Sequence, residues 1–216
     1  GQHGRVQIMP LFQRWENSNG TSFSQGSAVL SLYQPLGSYA AFFLRGSGGT
    51  TRGDVETLQG LSDAQLAMTY HWESADLVFS LGLNSPISKK KLTVKEFQTS
   101  QLVSATVFDF QVPTLSTGFN VNPGILWALP VSETIVLGVG VSYQYKGKYS
   151  PVAGSGEYDP GDEILVAAGI DFQLESGSTL SADLNFTTFG KDKLDGREVF
   201  SAGNRLAASL QFRKSL

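Results

Sequence analysis

Apolar side chains alternate with small or polar ones in unbroken runs of about ten residues, and these runs recur along most of the 216-residue chain. Successive side chains of a strand point to opposite sides, so each run is a strand with one apolar face. In 64–72, Leu66, Met68, Tyr70 and Trp72 share a face, and Gln65, Ala67, Thr69 and His71 share the other. In 134–146, Ile135, Leu137, Val139, Val141, Tyr143 and Tyr145 oppose Val136, Gly138, Gly140, Ser142, Gln144 and Lys146. Ile164, Val166, Ala168, Ile170 and Phe172 oppose Glu163, Leu165, Ala167, Gly169 and Asp171. Further on, Leu180, Ala182, Leu184 and Phe186 oppose Ser181, Asp183, Asn185 and Thr187, and Leu206, Ala208, Leu210 and Phe212 oppose Arg205, Ala207, Ser209, Gln211 and Arg213.

Runs this long exceed the usual soluble strand and suit a strand tilted across a bilayer. A soluble sandwich also alternates, so connection lengths must separate the two cases. Strands are predicted at about 5–15, 23–34, 38–45, 64–73, 76–84, 118–129, 134–146, 163–173, 179–188 and 199–213. Short turns fall at 35–37, 73–75, 130–133 and 174–178, whereas 46–63, 85–117, 147–162 and 189–198 are long; only 16–22 fits less cleanly. Tight turns on one rim and long loops on the other are the organisation of an outer-membrane barrel. The expected fold is therefore all-β, an antiparallel up-and-down transmembrane barrel of about ten strands, in a single domain over 1–216 that is either complete or part of a larger barrel. Tyr70, Trp72, Trp127, Tyr143, Tyr145 and Phe212, near strand ends, are candidates for the aromatic girdles of such barrels.

Composition agrees. Charged residues make up 16%, below the roughly 25% of soluble domains, and glycine is abundant at 24 residues. No stretch is long and apolar enough for a membrane helix, so a spanning structure would have to be a closed barrel. The net charge of −3 offers no basic stripe for nucleic acid. The run Lys89, Lys90, Lys91 is expected to be a solvated loop segment, and Gly46-Ser47-Gly48-Gly49 a mobile loop. Pro10 and Pro123 fall inside predicted strands, where each removes a ladder donor, so bulges or kinks are expected there. The long 85–117 connection is expected to carry a short helix or a strand excursion over Leu92–Val107.

Gly60-Leu61-Ser62-Asp63, followed by Leu66, Tyr70 and Ser80-Leu81-Gly82-Leu83-Asn84-Ser85-Pro86, resembles the repeating hairpin of the hydrophobic-compound outer-membrane transporters. These are the long-chain fatty-acid and toluene transporters and the related barrels of phenol-degradation pathways. Gly118-Phe119-Asn120-Val121-Asn122-Pro123-Gly124 and Tyr158-Asp159-Pro160-Gly161-Asp162-Glu163 are similar in kind. The resemblance covers about half of the chain. It implies the outer membrane of a Gram-negative bacterium and passage of apolar molecules across the lipopolysaccharide layer. The fatty-acid transporters have fourteen strands and an N-terminal plug, whereas this chain reads as about ten strands and enters one almost at once.

No catalytic constellation is legible. His3 lies near the chain start, and His71 alternates onto the polar face beside Thr69, where a wall residue is the expected role. There is no Gly-x-Ser-x-Gly elbow and no phosphate-binding Gly-Lys-Ser/Thr. Asp159, Asp162 and Glu163 could approach a divalent cation but lack EF-hand spacing; a turn with surface carboxylates is expected. No cofactor and no metal site is expected. The residues expected to line the lumen are Gln65, Thr69, His71, Gln144, Lys146, Asp183, Asn185, Arg205, Gln211 and Arg213. The expected function is a channel for small hydrophobic molecules; the alternative is a structural or partner-binding component of an outer-membrane assembly. Expected partners are membrane lipid and lipopolysaccharide, a small apolar ligand and other membrane proteins. Ten strands would enclose a narrow interior, since about eight are nearly filled by side chains and about sixteen leave a water channel.

Overall fold

The computed structural model describes residues 3–16, 18–104, 115–174 and 177–214. Its strands are β1 (Arg5–Glu16), β2 (Ser22–Leu36), β3 (Ala40–Gly53), β4 (Leu58–Leu61), β5 (Ala64–Trp72), β6 (Leu77–Ser85), β7 (Asn120–Pro130), β8 (Ile135–Lys146), β9 (Tyr158–Asp159), β10 (Glu163–Leu174), β11 (Ser178–Phe189), β12 (Lys191–Leu194), β13 (Arg197–Ser201) and β14 (Asn204–Lys214). Among the described residues one α-helix, α1 (Val94–Ser104), interrupts the connection between β6 and β7, and a 3-10 turn (Glu73–Ala75) joins β5 to β6.

The main sheet runs β1-β2-β3-β5-β6-β7-β8-β10-β11-β14, each strand antiparallel to the next, with β4 attached to the upper part of β3. This is an antiparallel up-and-down sheet of the transmembrane-barrel type. β1 and β14 stand at the two ends of the path, and no ladder joins them among the described residues.

Register fixes the two faces. Leu165 pairs with Ser142 and Thr187, and Thr187 with Arg205, so these four side chains share the inner face. One residue further along, Val166 pairs with Val141 and Phe186, and Phe186 with Leu206. The second set belongs to a belt of apolar residues that stays open: Val139 is 49% exposed, Leu184 48% and Leu210 74%. A soluble sandwich would bury this face against another sheet. Here the large hydrophobics that are buried number four among the described residues, Trp15, Val29, Leu58 and Leu92, and none lies on the belt. An apolar belt of this extent needs hydrocarbon around it.

The ten predicted strands are the ten of the main path, with two main differences. The third continues through Gly46-Ser47-Gly48-Gly49 to Gly53, paired with β2 (Ser47 with Val29, Gly49 with Ser27) and with β4. The expected mobile loop is therefore strand, because a glycine still donates and accepts in a ladder and β2 is long enough to pair with it. The last strand starts at Asn204; 197–201 is β13, which forms a hairpin with β12. The small β9-β12-β13 sheet belongs to the loops.

Neither proline shifts the register. Pro10 pairs with Ala28 on β1, the end strand, where a lost donor is best tolerated. Opposite Pro123, the Tyr143 carbonyl accepts a hydrogen bond from the Asn122 side-chain amide at 3.2 Å, which replaces the missing backbone donor. The predicted turn at 174–178 lies partly outside the described residues, as does the end of the predicted Leu92–Val107 element. Within the latter, α1 is a helix opened by a capping box: Glu96 N–H donates to Thr93 Oγ1 at 3.2 Å and Thr93 N–H to Glu96 Oε2 at 2.9 Å.

Candidate functional site

Two surfaces have a built character: the network that binds the long loops together, and the inner wall of the sheet.

Asp63, between β4 and β5, is the hub of the loop network. Its carboxylate accepts from Ser88 Oγ (2.5 Å), Ser88 N–H (3.2 Å), Asn84 Nδ2 (3.1 Å), Ser116 Oγ (3.2 Å) and Thr117 N–H (3.1 Å). Ser88 and Ser116–Thr117 are the two ends of the β6–β7 excursion, so one carboxylate fastens both ends to the β5 rim. The excursion then reaches both ways. Thr99 of α1 donates to the Glu56 carbonyl (3.1 Å), and Leu92 exchanges backbone hydrogen bonds with Pro151 and Ala153. Lys89, expected to be solvated, pairs with Glu96 at 2.6 Å and holds that carboxyl below the usual range, helped by the Thr93 N–H.

The acidic trio is split among separate partners. Asp159 lies 3.7 Å from Lys148; Asp162 accepts from the Tyr143 hydroxyl and, at 2.9 Å, from Lys146 N–H; Glu163 pairs with Lys146 Nζ. Asp192 accepts from the Tyr158 hydroxyl, which pushes that phenol up to about 12, and from Gly161 N–H at 2.8 Å.

The inner wall varies along the sheet. On β1 to β3 it mixes Met9, Leu11, Trp15, Phe23, Val29, Tyr33 and Phe43 with Arg5, Gln7, Gln13, Gln25, Ser31 and Arg45, and Trp15 and Phe23 are stacked 4.9 Å apart. On β8 to β14 it is polar at both ends. Toward the long loops, Asn122, Ser142, Gln144, Glu163, Thr187 and Arg205 surround a cavity of about 380 Å³. Toward the short turns, Asp171, Gln173, Thr179, Ser181, Gln211 and Arg213 surround one of about 250 Å³. Between them the wall is small, with Gly138 paired to Gly169 and Gly140 to Ala167. A Cβ on Gly138 would meet nothing within 4 Å, whereas one on Gly169 would lie 2.7 Å from Asp183 Oδ1; the other oxygen of that carboxylate, Oδ2, accepts from Ser209 Oγ at 3.1 Å.

The ten residues predicted from alternation all fall on this wall. Gln65, Thr69 and His71 lie on β5, paired with Asn84, Ser80 and Val78. Gln144, Lys146, Asp183, Asn185, Arg205, Gln211 and Arg213 lie on β8, β11 and β14. The structure brings Gln144 and Arg205 to one cavity, Gln211 and Arg213 to the other, and leaves the β5 group apart from both. Sequence reasoning missed Thr187 and Asn122 as cavity residues and Asp63 as a hub. Thr187 and Asn122 follow from the same alternation extended across the register; Asp63 carries no local signal, because its partners lie up to 54 positions away.

The long alternating strands, the exposed apolar belt, the segregated turns and the open polar wall together define a transmembrane β-barrel fold of the outer-membrane type. No family model matches the chain, and no curated protein does. Among solved structures, the chain is similar to an outer-membrane channel from Pseudomonas putida F1, with 11% identity and a TM-score of 0.50 over 97% of this chain and 90% of that one. At that identity the likeness is one of fold.

Proposed function

We propose that this chain forms a passage across the outer membrane of a Gram-negative bacterium for small molecules with an apolar body. One observation carries the proposal: the middle of the inner wall on β8 and β10 is built of glycine and alanine, and at Gly138 it faces open space. About eight strands are nearly filled by side chains; ten strands with so small a wall leave room. The apolar side chains Met9, Leu11, Val29 and Phe43, set among polar ones on the wall of β1–β3, suit a solute with both characters. The predicted wall residues Gln65, Thr69, His71, Gln144, Lys146, Asp183, Asn185, Arg205, Gln211 and Arg213 would set what passes. The channel fold of the structural neighbour supports this reading.

The test is uptake of a small apolar dye by vesicles whose outer leaflet is lipopolysaccharide. Vesicles carrying the protein should take up dye several-fold faster than bare ones, and Gly138→Trp, which places a ring into the open interior, should reduce that gain. Equal rates with and without protein would contradict the proposal.

A partner-binding role is the second reading, and the outer edges of β1 and β14, which no ladder joins among the described residues, favour it. A bilayer supplies no water to satisfy such edge groups, so another strand laid along them would be stabilised. Migration at monomer size in every mild detergent would count against it.

A further inference from the structure

We propose that the inner wall of β8–β14 holds a binding site for a small organic carboxylate, centred on Arg205 and Thr187. Thr187 is 2% exposed, and among the described residues its hydroxyl has no hydrogen-bond partner. Leaving a buried hydroxyl unsatisfied costs about 1 to 3 kcal/mol, so such a group facing a cavity marks where a ligand atom would be welcome. The cavity of about 380 Å³ it lines also presents Ser142, Gln144 and Arg205. None of those three side chains has a hydrogen bond or acidic partner among the described residues. The ring of Phe189 lies 5.8 Å from the Arg205 guanidinium carbon and steadies the cation without neutralising it.

Charge sets the sign of the ligand. Glu163 is the one carboxylate lining the cavity, and Lys146 Nζ is paired with it. The charges on this stretch are Arg205 and Lys146 against Glu163, which leaves one positive charge, and it sits on the unpaired guanidinium. A planar carboxylate matches the guanidinium fork with two parallel hydrogen bonds, while the Thr187 hydroxyl and the Gln144 amide can donate to its remaining lone pairs. Leu165 lies in the lining as an apolar patch for the hydrocarbon part of the ligand. A small carboxylate with an aliphatic or aromatic body therefore fits better than an inorganic anion.

The site rests on reading this face as the wall of a passage, yet equilibrium binding needs no transport, so the two can fail separately. Sodium benzoate is titrated calorimetrically into the full chain in detergent, with inorganic phosphate and benzylammonium as comparison ligands, and each variant is checked for unchanged strand content. Saturable benzoate binding is expected, weakened at least tenfold in Arg205→Ala, partly recovered in Arg205→Lys, and weakened several-fold in Thr187→Val, which keeps the shape and removes the hydroxyl. Lys146→Ala should also weaken it, because the released Glu163 carboxylate then repels the ligand. Absence of saturable binding, equal affinity in wild type, Arg205→Ala and Thr187→Val, phosphate binding as tight as benzoate, or preference for benzylammonium would each overturn the assignment.

Discussion

Val139 and Ser142 lie three positions apart on β8 and so face opposite sides, Val139 on the apolar belt and Ser142 in the polar cavity. Val139→Arg puts a charge against hydrocarbon and should destabilise the protein by roughly 2 to 4 kcal/mol near the bilayer midplane. Ser142→Arg should cost much less, since that side chain faces the polar wall. Reversible unfolding from lipid vesicles in denaturant measures both, and equal costs would contradict the face assignment. Tyr158, among the loops, gives a pH prediction. Its hydrogen bond to Asp192 raises it from 10.0 to about 12, so the folded chain holds that proton where the unfolded chain has lost it. The stabilisation is present in full below about pH 10 and declines as pH rises through about 12. Absorbance at 295 nm should show a late-titrating phenol that disappears in Tyr158→Phe; an unchanged curve would contradict the joint. Face assignments such as these were legible in the sequence because they depend only on period-two alternation. The Tyr158–Asp192 joint was not, since its partners are 34 positions apart on separate loops.

At the scale of elements, strands were read to within a few residues wherever one face was strongly apolar, as in β8 and β10. The reading stopped short in β3, where alternation gives way to Gly46-Ser47-Gly48-Gly49 and only pairing with β2 and β4 keeps the chain extended. α1 was expected only as one of two alternatives, although Thr93 and Glu96 hold the spacing of a capping box. Thr93→Ala should cost the helix about 1 kcal/mol, seen as faster amide hydrogen exchange at Phe97, with the strands unaffected. Asp63→Ala removes the acceptor that fastens both ends of the β6–β7 excursion. Protease cleavage within 86–119 should rise several-fold in that variant while the main sheet stays resistant; an unchanged cleavage rate would show that the contacts to Glu56 and Pro151 suffice.

For the whole molecule, the decisive property is a sheet whose apolar face is left open over all ten strands, and this follows from the sequence because no second apolar face exists to cover it. Which inner-wall residues converge on which cavity was not legible, because that requires the registers between β7, β8, β10, β11 and β14. The chain contains no cysteine, so single cysteines can be introduced one at a time along β8, from 137 to 144, and each labelled with an environment-sensitive fluorophore in reconstituted vesicles. Quenching by brominated lipid tails should be strong at 137, 139, 141 and 143 and weak at 138, 140, 142 and 144, whereas a water-soluble quencher should favour the even positions. A flat pattern, or one with the even positions facing lipid, would contradict a membrane barrel with its apolar belt outward.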